Sequence, residues 1–353
     1  MKPVMVVFTG GTIGSTKQEH AIDVNSSGSY TIIEQYRELY DGQAAFDSMQ
    51  PMNILSENLL VEQWLSLAQS IRSIPQEQYA GIIVTHGSDT LAYSAAMLGY
   101  LLSATQIPIV LIASNYPLED ERANGMRNFR QAVQWIEQEA PAGVFVVYEN
   151  DKGESKLYLA TRVMQCETFT DQFRSPYELT LGTLQEGKLL PQADARNPSL
   201  AQLAPAQHRW VDELAELQQL ASDILYIKPY PGLNYDYYQW EQRKPQAIVH
   251  DLYHSATACS LPQGSASLPA FIRRCKQQGI DVYLTPVKSE SEAQYASTTA
   301  LLEAGAVLLP GIGPEAALTK LMLGYSLLSS SDDIKAFMIG EELYYELHRE
   351  QQS

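Results

Sequence analysis

The sequence predicts an α/β fold: a larger N-terminal domain built on a doubly wound parallel sheet, followed by a smaller C-terminal α/β domain. Three observations carry this. Short unbroken apolar runs, Val4–Phe8, Gly81–Thr85, Ile107–Ala113 and Val144–Tyr148, suit strands covered on both faces. Segments of helical periodicity alternate with them, as parallel connections require. Between about Gly187 and Gln207 the composition turns polar and alanine-rich around Pro191, Pro198 and Pro205, which suits a boundary. We therefore expect an N-terminal domain over 1–190, a linker over 191–222 and a second domain over 223–353.

Taken in order, Val4–Phe8 is the first strand and ends in Thr9-Gly10-Gly11-Thr12. The polar stretch Lys17–Tyr30 reads as a mobile loop after it. Leu60, Trp64, Leu67, Ala68 and Ile71 form one stripe of a helix over Leu59–Ile74. The Gly81–Thr85 strand runs into His86-Gly87-Ser88-Asp89-Thr90 and a helix reaching about Ser103. Ile107–Ala113 (strand), Arg122–Glu139 (helix), Val144–Tyr148 (strand) and Leu157–Val163 (extended) complete the first set. In the second set, strands fall at Ile224–Lys228, Ala247–Leu252, Ile280–Thr285 and Ala306–Leu309. Helices fall at Leu268–Gln278, Tyr295–Ala304, Glu315–Leu328 and Asp332–Glu350, with Gly313-Pro314 as a helix start.

Composition narrows the function. The 353 residues suffice for about two domains with ample cores. A net charge of −17, with no Lys/Arg run, argues against a nucleic-acid partner, which needs a basic footprint. No apolar stretch is long enough for a membrane span, and no secretory leader pattern opens the chain. Cys166, Cys259 and Cys275 are odd in number and widely spaced. They read as reduced structural thiols of a cytoplasmic protein.

Chemistry concentrates at two strand ends. Two glycines after Val4–Phe8 allow backbone N–H groups to turn toward a bound oxygen beside the Thr12 hydroxyl. Ser88 and Asp89 follow the Gly81–Thr85 strand. In parallel sheets ligands bind outside the carboxyl ends of strands, so neighbouring strands would bring both hydroxyls and the carboxylate into one crevice. A hydroxyl nucleophile is weak until a base takes its proton, and an aspartate, with a reference pKa of about 3.9, is a poor base near neutrality. His86 lies alongside but need not point inward. Other motifs fail: there is no P-loop or GxGxxG, no GxSxG elbow, and no His/Cys cluster for zinc.

Thr9-Gly10-Gly11-Thr12-Ile13-Gly14 and Thr85-His86-Gly87-Ser88-Asp89-Thr90 resemble the two signature blocks of the bacterial-type L-asparaginase/glutaminase family. The likeness extends through Ser114-Asn115-Tyr116-Pro117-Leu118, Asn124-Gly125, Tyr230-Pro231-Gly232, Glu303-Ala304-Gly305-Ala306 and Glu315–Leu321. The resemblance implies an amidohydrolase that works through an acyl-enzyme and needs no cofactor and no metal. Thr12 would be the nucleophile. Ser88, in place of a threonine, would be a second hydroxyl beside Asp89, which in the family helps hold the substrate amino group. Ser56 would bind the substrate carboxylate, and Gly11, Gly87 and Asn115 would line the same pocket. The implied partner is a small amide or amino-acid substrate, and the implied assembly a homodimer or homotetramer.

Departures accompany the matches. The family's Thr-Lys pair is matched best by Thr161-Arg162, and arginine cannot serve as a base; Lys156 is the other candidate cation. Glu57 adds a carboxylate where a neutral residue is usual. His254-Ser255-Ala256-Thr257 replaces a Gly-x-Gly-Asn loop. Tyr30 is the candidate for the family's lid tyrosine, reached only with an insertion. These changes are compatible with a retuned amidase, or with a protein that binds an amino-acid-like amide without turning it over.

Overall fold

The computed structural model describes residues 2–10, 13, 15–18, 21–24, 31–40, 44–240, 242–288 and 296–349. They divide into two compact units. The first comprises residues up to Gln218 together with Leu343–Tyr345; the second comprises Gln219–Glu342 and Glu346–Arg349.

The strands of the first unit begin with β1 (Val4–Phe8), β2 (Ser15–Gln18), β3 (Ala21–Val24) and β4 (Phe46–Met49). Next come β5 (Gly81–Thr85), β6 (Pro108–Ile112), β7 (Gly143–Glu149) and β8 (Ser155–Leu159). The set closes with β9 (Met164–Glu167), β10 (Gln172–Arg174), β11 (Gly182–Gln185) and β12 (Lys188–Pro191). Its helices are α1 (Thr31–Leu39), α2 (Val61–Arg72), α3 (Leu91–Leu101), α4 (Gly125–Glu137) and α5 (Val211–Glu216).

Eight of these strands form one sheet in the order β12-β11-β8-β7-β6-β5-β1-β4. The run from β4 through β7 is parallel, and β8, β11 and β12 extend it antiparallel. Every residue of β1, β5 and β6 is buried, so helices must cover both faces. One covering pair is α2 on α3, joined by Trp64 Nε1 donating to Ser94 Oγ at 2.9 Å. The other is α1 on α4, where Tyr36 meets Phe129 edge-on at 5.5 Å. This is the expected doubly wound sheet, with an antiparallel extension.

The chain leaves β1 for β4 on one side and crosses back to β5 on the other. That reversal puts a topological switch point at the carboxyl ends of β1 and β5, where open α/β sheets bind ligands.

The second unit has β13 (Ile224–Ile227), β14 (Ala247–Asp251), β15 (Asp281–Val287) and β16 (Val307–Pro310), all parallel and in that order. Helices α6 (Leu268–Gln277), α7 (Ala296–Ala304), α8 (Pro314–Leu327) and α9 (Ser331–Gly340) complete it. Its core gathers Ile248, Leu268, Phe271, Ile272, Val282 and Leu284. Gly313 caps α8 with proline in its first turn. Residues 254–257 form a tight turn closed by Tyr253 N donating to Thr257 O at 2.8 Å.

Several elements differ from the sequence expectation. Part of Lys17–Tyr30 is not loop: β2 and β3 pair antiparallel from Ser15↔Val24 to Gln18↔Ala21. A two-stranded ribbon needs no apolar run, so polar composition conceals it. The helix expected over Arg122–Glu139 is confined to Gly125–Glu137. The extended run expected over Leu157–Val163 breaks into β8 and a buried helical turn at Ala160–Arg162. The helix expected over Asp332–Glu350 stops at Gly340, because the following residues dock elsewhere. Tyr344 is buried, and its hydroxyl accepts from Val144 N at 2.6 Å. Residues 191–218 belong to the first unit, where Arg72 holds the Leu214 and Ala215 carbonyls of α5.

Candidate active site

The paired register of β1 and β5 ends at Phe8↔Thr85, and Thr9 Oγ1 donates to Thr85 O at 2.8 Å. The two strand ends are thereby tied where their loops diverge. Gly10 bridges to Ile54, which brings the segment leading to Ser56 alongside. Gly11 and Thr12 follow directly but lie outside the described residues, as does Tyr30.

The second block is described in full. His86 is buried, and its Nδ1–H donates to Gly87 O at 2.8 Å. Burial pulls its pKa below the usual histidine value, so the ring is neutral and serves to brace the turn. Gly87 is required by close approach: a Cβ there would stand 2.3 Å from Ser56 Oγ. Ser56, itself buried, uses that space to donate to Asp89 Oδ2 at 3.1 Å. Thr90 Oγ1 in turn donates to Ser56 O at 2.9 Å. Ser88 is half-buried and Asp89 exposed, directly before the N-terminus of α3. Unpaired N–H groups at a helix start favour negative charge, such as that of Asp89.

The structure thus joins Ser56, Asp89 and Thr90 by hydrogen bonds, with Gly87 packed against Ser56, Ser88 between Gly87 and Asp89, and Glu57 exposed next to Ser56. Other candidates are engaged elsewhere. Arg162 is buried; its Nε donates to Tyr345 O at 2.5 Å and its Nη1 to Arg196 O at 3.0 Å. The hydrogen bonds described for Arg162 thus run to the main-chain carbonyls of Tyr345 and Arg196 and to Asn197 Oδ1 at 3.3 Å. Lys156 Nζ pairs with Glu154 at 3.0 Å and donates to Thr183 Oγ1 at 2.9 Å, across the β8–β11 ladder. Asn115 and Asn124 form a reciprocal clasp, each backbone N–H donating to the other's Oδ1 at 3.0 Å. The Asn115 Oδ1 therefore closes its own loop.

Two neighbours escaped the sequence reading. Gln165 Nε2 donates to the Asp89 carbonyl; no motif marks it, because the contact depends on β9 running past the turn. Cys166 is next to it, and burial together with Asp171 and Asp89 pushes its thiol up to about 12. It is no thiolate nucleophile. Among the described residues, no three His, Cys, Asp or Glu side chains gather as a metal site would require, and no helix is long and apolar enough to cross a membrane.

Residues 3–196 match the family model described as asparaginase, N-terminal, and the chain belongs to that family. Among its relatives, a component of the Glutamyl-tRNA(Gln) amidotransferase of Saccharolobus solfataricus is 25% identical over 322 residues, covering 90% of this chain and 70% of that protein. The L-asparaginase of Thermococcus kodakarensis is 24% identical over 344 residues, covering 95% and 96%. The solved structure of the thermostable L-asparaginase from Thermococcus kodakarensis superposes with a TM-score of 0.77 at 22% identity, over 98% of this chain and 99% of that one. The likeness is in the fold, and the chain is a divergent member.

Proposed function

We propose that the protein is an asparaginase-type amidohydrolase, converting the side-chain amide of asparagine, or of a related small amide, to the acid and ammonia through a threonyl ester. The observation that carries this reading is the Ser56–Asp89 hydrogen bond at the carboxyl ends of β1 and β5, on the segment that Gly10 meets at Ile54. In the proposed reaction Thr12 Oγ adds to the amide carbonyl, and its proton passes to the departing nitrogen. Backbone N–H groups near Gly11 and Ser88 receive the oxyanion, aided by the start of α3. Ammonia leaves; water then cleaves the ester, releasing the acid and restoring the hydroxyl. Asp89 and Glu57 attract the substrate amine, Ser56 its carboxylate, and Tyr30 covers the pocket. The working assembly is proposed to be a homodimer or homotetramer.

The test is ammonia release from asparagine, glutamine and a panel of primary amides. Thr12→Ala should lower kcat by roughly a thousandfold or more, and undiminished activity in that variant would sink the mechanism. A second reading, that an amino-acid-like amide is bound without turnover, is favoured by the engagement of Arg162 with main-chain carbonyls. It predicts a ligand-dependent rise in Tm with no product, and steady ammonia release from that ligand eliminates it.

A further inference from the structure

We propose that Gln165 is a positioning residue for the turn carrying Ser88 and Asp89, and that a strap formed by Tyr344 and Tyr345 holds the base from which it reaches. The Asp89 side chain is gripped by Ser56 Oγ at 3.1 Å, while its main-chain carbonyl accepts from Gln165 Nε2. Two segments distant in sequence therefore set one exposed residue, the first through its carboxylate and the second through its backbone. Removing either leaves the carboxylate with more orientations, in a site where small displacements are costly.

Gln165 lies on β9, whose only ladder among the described residues is with β10. A two-stranded ribbon is marginal on its own, so something must anchor its root. That root is the buried turn Ala160–Arg162. Thr161 Oγ1 donates to Tyr344 O at 2.5 Å, and Arg162 Nε donates to Tyr345 O at 2.5 Å. Tyr344 is in turn fixed by its hydroxyl on Val144 N at 2.6 Å. The space it fills exists because residue 143 is glycine: a Cβ there would stand 2.4 Å from that hydroxyl. Tyr345 adopts φ 54°, a left-handed conformation unusual for a tyrosine, which the surrounding bonds must over-determine. The series runs from β7 through the strap and the Thr161-Arg162 turn to Gln165 and Asp89, wholly within the first unit. It also accounts for Arg162: the guanidinium secures the strap.

Gln165 is exposed, so Gln165→Leu and Gln165→Glu remove the donor without opening the core. Hydrogen exchange on the full chain reads the turn directly and needs no substrate. Backbone amides of residues 87–91 should exchange at least about threefold faster in both variants, with residues 160–163 unchanged. Thr161→Val should quicken exchange in both segments, and Thr161→Ser, which keeps the hydroxyl, should restore both. Unaltered exchange at 87–91 in Gln165→Leu overturns the proposal. The kinetic arm rests on the amidohydrolase reading. KM for asparagine should rise at least about threefold in Gln165→Leu, with a smaller change for succinamic acid, which lacks the amine that Asp89 would hold. Equal changes for the two substrates overturn the positioning of Asp89. A wild-type protein that hydrolyses neither sinks the amidohydrolase reading alone, and the exchange measurement still decides this one.

Discussion

Ser56 and Gly87 show how one missing methyl group shapes the candidate site. Gly87→Ala would place its Cβ 2.6 Å from the Ser56 Cβ, and both lie on buried backbone. We expect Tm to fall, at a cost of about 1–3 kcal/mol for overpacking, together with a higher KM for asparagine as Ser56 leaves Asp89. Adding Ser56→Gly to that variant should recover Tm but not KM, measured by calorimetry and steady-state kinetics. Recovery of both would show that the Ser56–Asp89 bond contributes nothing to binding. At this scale the sequence was partly legible. Ser56, Gly87 and Asp89 stood out because glycine and hydroxyl residues break an apolar strand in a recognisable order. Gln165 did not, because the bond that ties it to Asp89 runs to a backbone carbonyl 76 residues away, which any amide side chain could make. Arg162 was singled out for its charge, whereas the structure employs its hydrogen-bonding fork on the main chain.

Among the elements, the buried parallel strands were read directly from apolar runs, since both faces of each are covered. The half-exposed edge strand β4, the β2–β3 and β9–β10 ribbons and the β11–β12 extension carry no such run, so periodicity does not mark them. The end of α9 shows tertiary contacts overriding local helix preference. The same segment, past the strap, contributes Glu346, whose carboxylate pairs with Lys320 of α8 at 2.7 Å with both side chains fully buried. Lys320 Nζ also donates to Glu341 O and, at 3.4 Å, to Met338 O. Glu346→Gln leaves an ammonium in the core and should cost about 3–5 kcal/mol, whereas Lys320→Met with Glu346→Leu should cost far less. Urea unfolding followed by tryptophan fluorescence distinguishes them. Equal losses in the two would assign the stability to the pair's own attraction and not to the avoided buried charge.

For the molecule as a whole, acidity should be the chief solvent lever on stability. His250 is fully buried, its Nδ1–H donating to Asp251 O at 2.6 Å and its Nε2 accepting from Tyr235 OH at 2.8 Å. Burial pulls its pKa down from 6.5 to about 4, and His86 shifts the same way. Between those values the unfolded chain binds the proton and the folded chain does not, so stability rises with pH across that window. His250 alone accounts for on the order of 3 kcal/mol, full above pH 6.5 and lost on acidification toward 4. Asp194, held at about 2 by its hydrogen bonds from Arg196, extends the loss below its unfolded value. Chemical denaturation at pH 4.5 and 7 checks the sign, and His250→Asn should flatten the slope. A steeper slope in that variant would refute the assignment.

The Tyr344 hydroxyl and its acceptor bond from Val144 N join residues 200 positions apart. On a ribosome, β7 therefore emerges and can pair with its neighbours long before the side chain that accepts from its Val144 N–H exists. Until the second unit's sequence has been made, the first must wait with a tyrosine-sized hole beside Gly143 and Gly99 and with the Thr161-Arg162 turn short of its bonds to Tyr344 O and Tyr345 O. Nascent first units are thus left unfinished, by the order of the chain, until Tyr344 and Tyr345 have been made.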